Sequence, residues 1–319
     1  MQEARSARPQ RAVAAPSVRG DGRHPVRGLG GHRLGVHQVR ARQRGALTHR
    51  RCVSWHPEQY ARFAAERAQP FHDLCDLIHP VPPGSIGRAV DLGCGSGSLT
   101  VLAAERFGVE EMVGLDSSSE MLAEAEAIEQ ERVRFAYGDL STWTADADHD
   151  LVLANASLQW VPDHRAVLAR WVAALSPGGQ LAVQVPANAD HPSHLALAAV
   201  AHTEPFRSAF DGEPPPDPVA ANVLAPEQYA TILHDLGMET PHVRLQVYGH
   251  VLDSSAAVVE WTRGTSLTRF WPRLPAALHD PFVDAYRDAL LERIGEVSPY
   301  FFAFKRILMW ARSPRQPRG

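Results

Sequence analysis

From residue 86 onward, short blocks of consecutive apolar residues alternate with longer segments whose apolar positions recur every three or four residues. The blocks predict strands over Ile86–Leu92, Glu111–Asp116, Arg132–Tyr137, His149–Ala156 and Gln180–Val185. The periodic segments predict helices over Gly97–Phe107, Ser118–Gln130 and Asp163–Leu175, the last stopped by Ser176-Pro177-Gly178-Gly179. This rhythm predicts an α/β fold, a Rossmann-like doubly wound and mostly parallel sheet. Residues 190–224 then interrupt it with a helix and the Pro-rich loop 213–218. Helix Pro226–Gly237 and strand Val243–Tyr248 resume the pattern, two helices lie between Ser254 and Val297, and Tyr300–Trp310 predicts a last strand. Ahead of the first strand, Ser54-Trp55-His56-Pro57 predicts a helix start with Tyr60, Phe63, Ala64 and Arg67 on one face. Pro70 is expected to restart a second helix with Phe71, Leu74, Cys75 and Ile78 facing inward, and Pro82-Pro83-Gly84 closes this arm.

Composition changes the picture at one end only. With 319 residues, 45% hydrophobic and 21% charged, the chain can bury a sizeable core, and bulk disorder is excluded. Its longest apolar run, Leu195 to Ala201, is far shorter than the ~20 residues of a membrane span. Cys52, Cys75 and Cys94 form neither a disulfide framework nor a CxxC pair, which predicts a cytoplasmic protein without structural zinc. Residues 1–51, however, hold 12 Arg against Glu3 and Asp21, a balance of +10 within a chain of net charge −4. Such a segment fits a nucleic-acid-binding arm or a transit peptide. It has no aromatic residue and no apolar period, and Lys305 is the single lysine of the whole chain, so arginine richness carries little information. We expect residues 1–52 to be a disordered or non-native leader with no nucleic-acid role. Residues 53–312 would form one domain with a mainly helical cap from 53–83, 190–224 and 251–297, followed by a tail at 313–319.

The chemistry starts at Val90-Asp91-Leu92-Gly93-Cys94-Gly95-Ser96-Gly97, where a buried strand runs into a glycine-rich turn and then a helix. Gly93, Gly95 and Gly97 let the backbone pass close to a ligand, and the helix N-terminus behind them offers free N–H groups. Asp116 follows Gly97 by 19 residues at the end of the next strand, the distance at which an acid reaches ribose hydroxyls. Together these features point to an adenosine-containing ligand. Dinucleotide sites usually carry GxGxxG; here the glycines alternate strictly after Asp91. Ser117 with Glu120 has the spacing of a capping box for the following helix. His56, His164 and His250 have no metal-ligand spacing, and no metal site is expected.

With Gly138-Asp139-Leu140 after the third strand and Asp150–Ala156 at the fourth, this pattern resembles the class I S-adenosylmethionine (SAM)-dependent methyltransferases. The stretch Ala154-Asn155-Ala156-Ser157-Leu158-Gln159-Trp160-Val161-Pro162-Asp163-His164, the arm Trp55…Tyr60…Glu66-Arg67, and Gly179–Pro186 narrow the likeness to the trans-aconitate 2-methyltransferase family, from about Ser54 to Arg312. The resemblance implies that Asp139 binds the adenine amino group and Asp116 the ribose hydroxyls. It completes the cofactor set with Asp91, Gly93, Gly95, Gly97, Ser117, Leu140 and Asn155. It further implies methylation of one carboxylate of a small unsaturated tricarboxylate. Gln69 and Ser266-Leu267-Thr268-Arg269 depart from the family pattern on the substrate side. A SAM-dependent methyltransferase for another small molecule, a non-catalytic SAM-binding module and, more remotely, an NAD-dependent oxidoreductase are the competing readings.

Carboxyl methylation asks for little acid–base chemistry. A carboxylate is ionised at neutral pH, so the protein need only align it with the methyl donor and exclude water, and no catalytic triad is expected. Holding a polyanion calls for arginine forks, tyrosines and amides. The candidates are Trp55, Tyr60, Arg67, Gln159, Trp160, Tyr248, Arg269, Tyr300 and Arg306. The partner expected is a small organic acid, with no nucleic acid and no membrane.

Deleting residues 1–52, which have no apolar face with which to dock, should leave melting temperature and activity unchanged. A large loss of either would contradict the leader reading.

Overall fold

A computed structural model describes residues 64–79, 86–128 and 130–315. The leader, the helix start at Ser54, Trp55, Tyr60 and the Pro82–Gly84 break lie outside the described residues. In chain order the elements are α1 (Ala64–Cys75), β1 (Arg88–Leu92), α2 (Ser98–Phe107), β2 (Glu111–Asp116), α3 (Ser119–Ala125), β3 (Val133–Tyr137), β4 (His149–Asn155), α4 (His164–Ala173) and β5 (Leu175–Pro186). There follow α5 (Pro192–Ala201), α6 (Phe206–Ala209), α7 (Pro218–Asn222), α8 (Pro226–Asp235), β6 (Glu239–Leu252), α9 (Ala257–Arg263), α10 (His279–Ile294) and β7 (Tyr300–Arg312). Short 3-10 turns span Leu158–Trp160 and Ala276–Leu278.

The seven strands form one sheet in the order β3-β2-β1-β4-β5-β7-β6. Strands β1 to β5 are parallel, β7 runs antiparallel to β5, and β6 antiparallel to β7. The strand order reverses at β1, whose neighbours are β2 and β4. In open α/β sheets that switch point opens a crevice at the carboxyl ends of the strands.

Of the boundaries that differ from the sequence expectation, four have a clear physical reason. Pro70 lies inside α1 and does not restart it. A proline within a helix costs ~3 kcal/mol, but Phe71, Leu74, Cys75 and Ile78 beyond it are all buried, and their packing outweighs the lost bond. Helix α3 ends at Ala125, after which bonds from Ala127 to Glu124 and from Ile128 to Ala125 tighten into turns. The Ser176–Gly179 break is absorbed into β5, with the register against β4 shifting between His149 and Leu151. Strand β6 extends well beyond 243–248 because it pairs with nearly the whole of β7.

Three apolar clusters hold the fold. One face of the sheet (Val90, Leu92, Val152, Leu181, Val183, Ile307, Met309) packs on α4 through Val167, Leu168 and Trp171, and on α8 through Tyr229, Ile232 and Leu233. The other face (Ala89, Leu151, Leu153, Ala182, Leu308, Trp310) packs on α2 and on Phe71, Leu74, Cys75 and Ile78. The third joins α5, α6, α9 and α10 to Tyr248, Leu252, Phe302 and Phe304 on β6 and β7. Residues 64–79 therefore pack with the sheet, whereas 190–224 and 251–297 supply the separate helical layer, here called the cap. Among the described residues no helix is long and apolar enough to cross a membrane.

A buried amide ties α1 to the sheet. Gln180, 2% exposed, accepts from the His79 amide at 2.8 Å and from Trp310 Nε1 at 2.8 Å, while the His79 ring stacks on Trp310 at 4.2 Å. Gln180→Leu should lower stability by about 1–3 kcal/mol, because the buried Trp310 Nε1 loses its acceptor and the His79 amide its tie to the sheet; equilibrium denaturation measures it.

Candidate active site

The pleat of the sheet builds the site. On the face where Ala89, Leu153, Ala182 and Leu308 enter the core, the next inward positions toward the carboxyl ends are Asp91 on β1, Asn155 on β4 and Gln184 on β5. On antiparallel β7, Leu308 stands level with Gln184, and Arg306 follows one inward position further toward the cap, between Phe304 of the cap cluster and Leu308 of the sheet cluster. Asn155 pairs in register with Gln184, Gln184 with Leu308, and Pro186 with Arg306. Staggered from strand to strand, these polar side chains continue the apolar face toward the strand ends.

These groups are buried before all of them find partners. Gln184 is 1% exposed, and neither its Oε1 nor its Nε2 has a protein partner; Asn155 Oδ1, Gln159 Oε1, Asn188 Oδ1 and Arg269 Nε are likewise unpartnered. Buried polar atoms are normally bonded, at a cost of ~1–3 kcal/mol when they are not, so a cluster of such atoms marks a place built for a ligand. They surround a cavity of about 130 Å³ between the strand ends and the cap, whose wall also includes Trp160, His194, Asp217, Thr262, Thr265, Arg269 and Arg306.

Beside it, the glycine turn has two kinds of glycine. A Cβ on Gly93 (φ +85°) would stand 2.2 Å from Ser157 Cβ, and one on Gly97 (φ +80°) 2.5 Å from the Phe135 ring. Those two serve close packing. Gly95, with φ +56°, has nothing within 4 Å of its Cβ position and faces open space. Asp91, 3% exposed, accepts from Thr100 Oγ1 through Oδ2 at 2.6 Å and leaves Oδ1 unpartnered. Burial is the main force on its carboxyl; with the nearby Asp116 charge it outweighs the Thr100 bond, and the pKa is pushed up to about 7.

The protein-family profile described as Methyltransferase domain matches residues 89–179. The chain is 40% identical to a trans-aconitate 2-methyltransferase from Deinococcus radiodurans over 82% of its own length and 99% of that protein's. It is also 40% identical to one from Streptomyces avermitilis, over 75% and 89% respectively. The chain belongs to the trans-aconitate 2-methyltransferase family. Its fold is matched by a putative methyltransferase from Bacillus halodurans, with TM-score 0.50, 16% identity, and coverage of 76% of this chain and 99% of that one.

Within this family member, the expected cofactor residues lie around the glycine turn except Asn155, which lines the cavity instead. Asp116 is already engaged: Oδ2 accepts from Gly95 N at 2.8 Å and Oδ1 from Ser118 N at 2.8 Å, so it braces the turn as well as facing it. The helix cap is Ser118, whose Oγ accepts from Met121 N, and not Ser117, which is exposed; with Met121 at the third helical position the cap is one-sided and the predicted capping box does not form. Asp139 is exposed and accepts from Ser141 N, while Leu140 approaches within 3.5 Å of the Gly93 Cβ position.

The expected substrate residues separate into two groups. Gln159, Trp160, Arg269 and Arg306 line the cavity together. Tyr248 and Tyr300 are not among its lining residues. The Tyr248 hydroxyl instead donates to Asp73 at 2.8 Å and its ring stacks on Phe304, tying α1 to the cap, while Tyr300 starts β7 opposite Leu252. Arg67 lies on α1, and its side chain is outside the described residues. Arg269 does not await an anion alone: Asp217 lies 3.5 Å away, and Phe270 lies 4.5 Å beneath the guanidinium. Sequence reasoning missed Gln184, Asn188, His194 and Asp217. Gln184 alone left a signal, a polar residue at an inward position of an otherwise apolar strand.

Asp91 yields a pH prediction. Because its folded pKa exceeds its ordinary value, the ionised carboxyl weakens the unliganded fold, and the penalty grows as pH rises from about 4 to about 7. Asp91→Asn should therefore raise the unliganded melting temperature above neutral pH by several degrees, with no gain near pH 4, and should bind SAM less well. Thermal melts across pH, with and without SAM, check both.

Proposed function

We propose that this protein is a SAM-dependent methyltransferase that converts one carboxylate of trans-aconitate to its methyl ester. The observation that carries the reading is the cluster of unpartnered buried amides, flanked by Arg269 and Arg306, beside the glycine turn. The relatives' names supply the acid, and the chemistry of the cavity suits it. A small polycarboxylate offers many acceptor oxygens and is best held by guanidinium forks and amide N–H groups.

The residues around the glycine turn fit SAM. Asp91 Oδ1 is a buried, unpartnered acceptor suited to an ammonium group, Gly95 leaves room for a ligand, and Asp116 and Asp139 are acceptors for ribose and adenine donors. When bound, SAM supplies a methyl group on positively charged sulfur. No side chain has to remove a proton, since the acid is already ionised at neutral pH. In this reading Gln184, Asn155 and Gln159 fix the acid's orientation, Arg269 and Arg306 neutralise its charge, and Trp160 with the cap excludes water. Cys75 and Cys94 are free, buried thiols, in keeping with a cytoplasmic setting.

A mass-spectrometric screen of small organic acids with SAM tests the function directly. A gain of one methyl on trans-aconitate, with S-adenosylhomocysteine formed alongside, is expected; no methylated acid would refute it. Arg269→Ala should raise the KM for the acid at least about tenfold, or ~1.4 kcal/mol. Gln184→Leu should do the same while raising the melting temperature, because it removes two unpartnered polar atoms from the core. SAM affinity should barely change in either variant.

A further inference from the structure

The cavity contains an anion of its own. Asp217, from the loop leading into α7, places Oδ2 2.6 Å from His194 Nδ1 and 3.5 Å from Arg269 Nη1, so an imidazole and a guanidinium share one oxygen. Its other oxygen accepts from Val219 N at 2.9 Å and is committed to starting α7. On its far side, His194 Nε2 meets the Asn188 amide at 2.9 Å. The three side chains His194, Asp217 and Arg269 are 8%, 9% and 6% exposed, so their charges act on one another with little screening.

Resting on the reading that the substrate is a polycarboxylate, we infer that His194 is a positioning residue whose protonation frees Arg269 to bind the acid. With His194 neutral, Arg269 is the counter-ion of Asp217, and an incoming carboxylate competes with that carboxylate for the same guanidinium. With His194 protonated, the imidazolium becomes the partner of Asp217, and the cavity gains one positive charge for the acid. Substrate and proton therefore favour each other, by the reciprocity of linked binding. An imidazole suits the role because its charge changes near neutral pH.

The surroundings leave His194 as the group able to respond. Burial, then the charge of His194, hold His191 down to about 4, so it stays neutral. Burial pushes the Asp217 carboxyl up, but the His194 bond and the charges of His194 and Arg269 outweigh it and hold Asp217 at about 2, ionised throughout. From α10, Tyr286 bonds to Thr262, and burial pushes its hydroxyl far above neutrality. The charged residues of α9, Glu260 and Arg263, pair with each other, and Lys305 of β7 pairs with Asp190. Arg306 stays charged at all these pH values.

Calorimetry tests this with wild-type protein and S-adenosylhomocysteine present, so that no turnover occurs. Trans-aconitate is titrated in buffers of different ionisation enthalpy, above neutral pH, where the acid is fully ionised. Uptake of a substantial fraction of one proton per acid bound is expected, with the Kd for the acid rising as pH rises; separate turnover assays with SAM should show KM rising in parallel. In His194→Gln, which keeps an amide at the site without a titrating group, uptake should vanish and KM should lose its pH dependence. The change should fall on KM more than on kcat, which a general loss of structure would not produce. Binding without proton uptake by the wild type, or uptake undiminished in His194→Gln, would overturn the inference while ester formation left the functional reading standing. Failure of the wild type to form any ester would overturn that reading and this inference with it.

Discussion

A polar side chain at an inward position of a fully buried strand loses its hydration before it gains a partner, and that cost organises this molecule. Asp91, Asn155 and Gln184 occupy such positions at the carboxyl ends of β1, β4 and β5, with Arg306 alongside on β7. One turn of the pleat lower, the same face carries Ala89, Leu153, Ala182 and Leu308, which close the core. The site is thus the core's own surface continued into polar residues. Its rigidity comes from the packed layer beneath, and its affinity for a ligand comes from atoms that folding leaves unpartnered.

The cap completes what the sheet begins. Its apolar cluster shares β7 with the sheet, Phe302 and Phe304 facing the cap helices while Leu308 and Trp310 face α1 and α2. Arg306 falls between the two clusters because a single strand serves both. Loops carrying opposite charges then meet over the cavity, where Asp217, His194 and Arg269 form a compact network tied to the start of α7. Burying a guanidinium, a carboxylate and an imidazole side by side is costly unless each finds its partner. A cavity built this way favours an anionic ligand without depending on exposed charges that salt would screen.

Stability and function are opposed at two points. Asp91 is buried with one oxygen unpartnered, and Gln184 with both amide atoms unpartnered. An apolar or neutral side chain at either position would suit the empty fold better. Their retention in the core makes sense when the liganded state, in which those atoms are bonded, is the one the sequence serves. The glycine turn shows the complementary economy: Gly93 and Gly97 are glycines because Ser157 and Phe135 leave no room for a Cβ, while Gly95 faces open space.

The sequence by itself determined the strand–helix alternation, the glycine turn with Asp91 and Asp116, and the family signature at Ala154–His164, because these are local: a period of two or of 3.6, a turn that needs positive φ, a motif read in one stretch. It also named Gln159, Trp160, Arg269 and Arg306 among the candidates, four residues that the fold brings to one cavity. What it could not determine is which distant residues share a cavity. Helix α1 passes through Pro70 because long-range burial outweighs a local rule, and Tyr248 is diverted to Asp73, 175 residues away. Asp217 lies in a proline-rich loop with no pattern of its own, and its meeting with His194 and Arg269 depends on how α5, α7 and the segment after α9 pack against one another. Periodicity reports which way a side chain faces along its own element; only the packing of those elements decides what it faces.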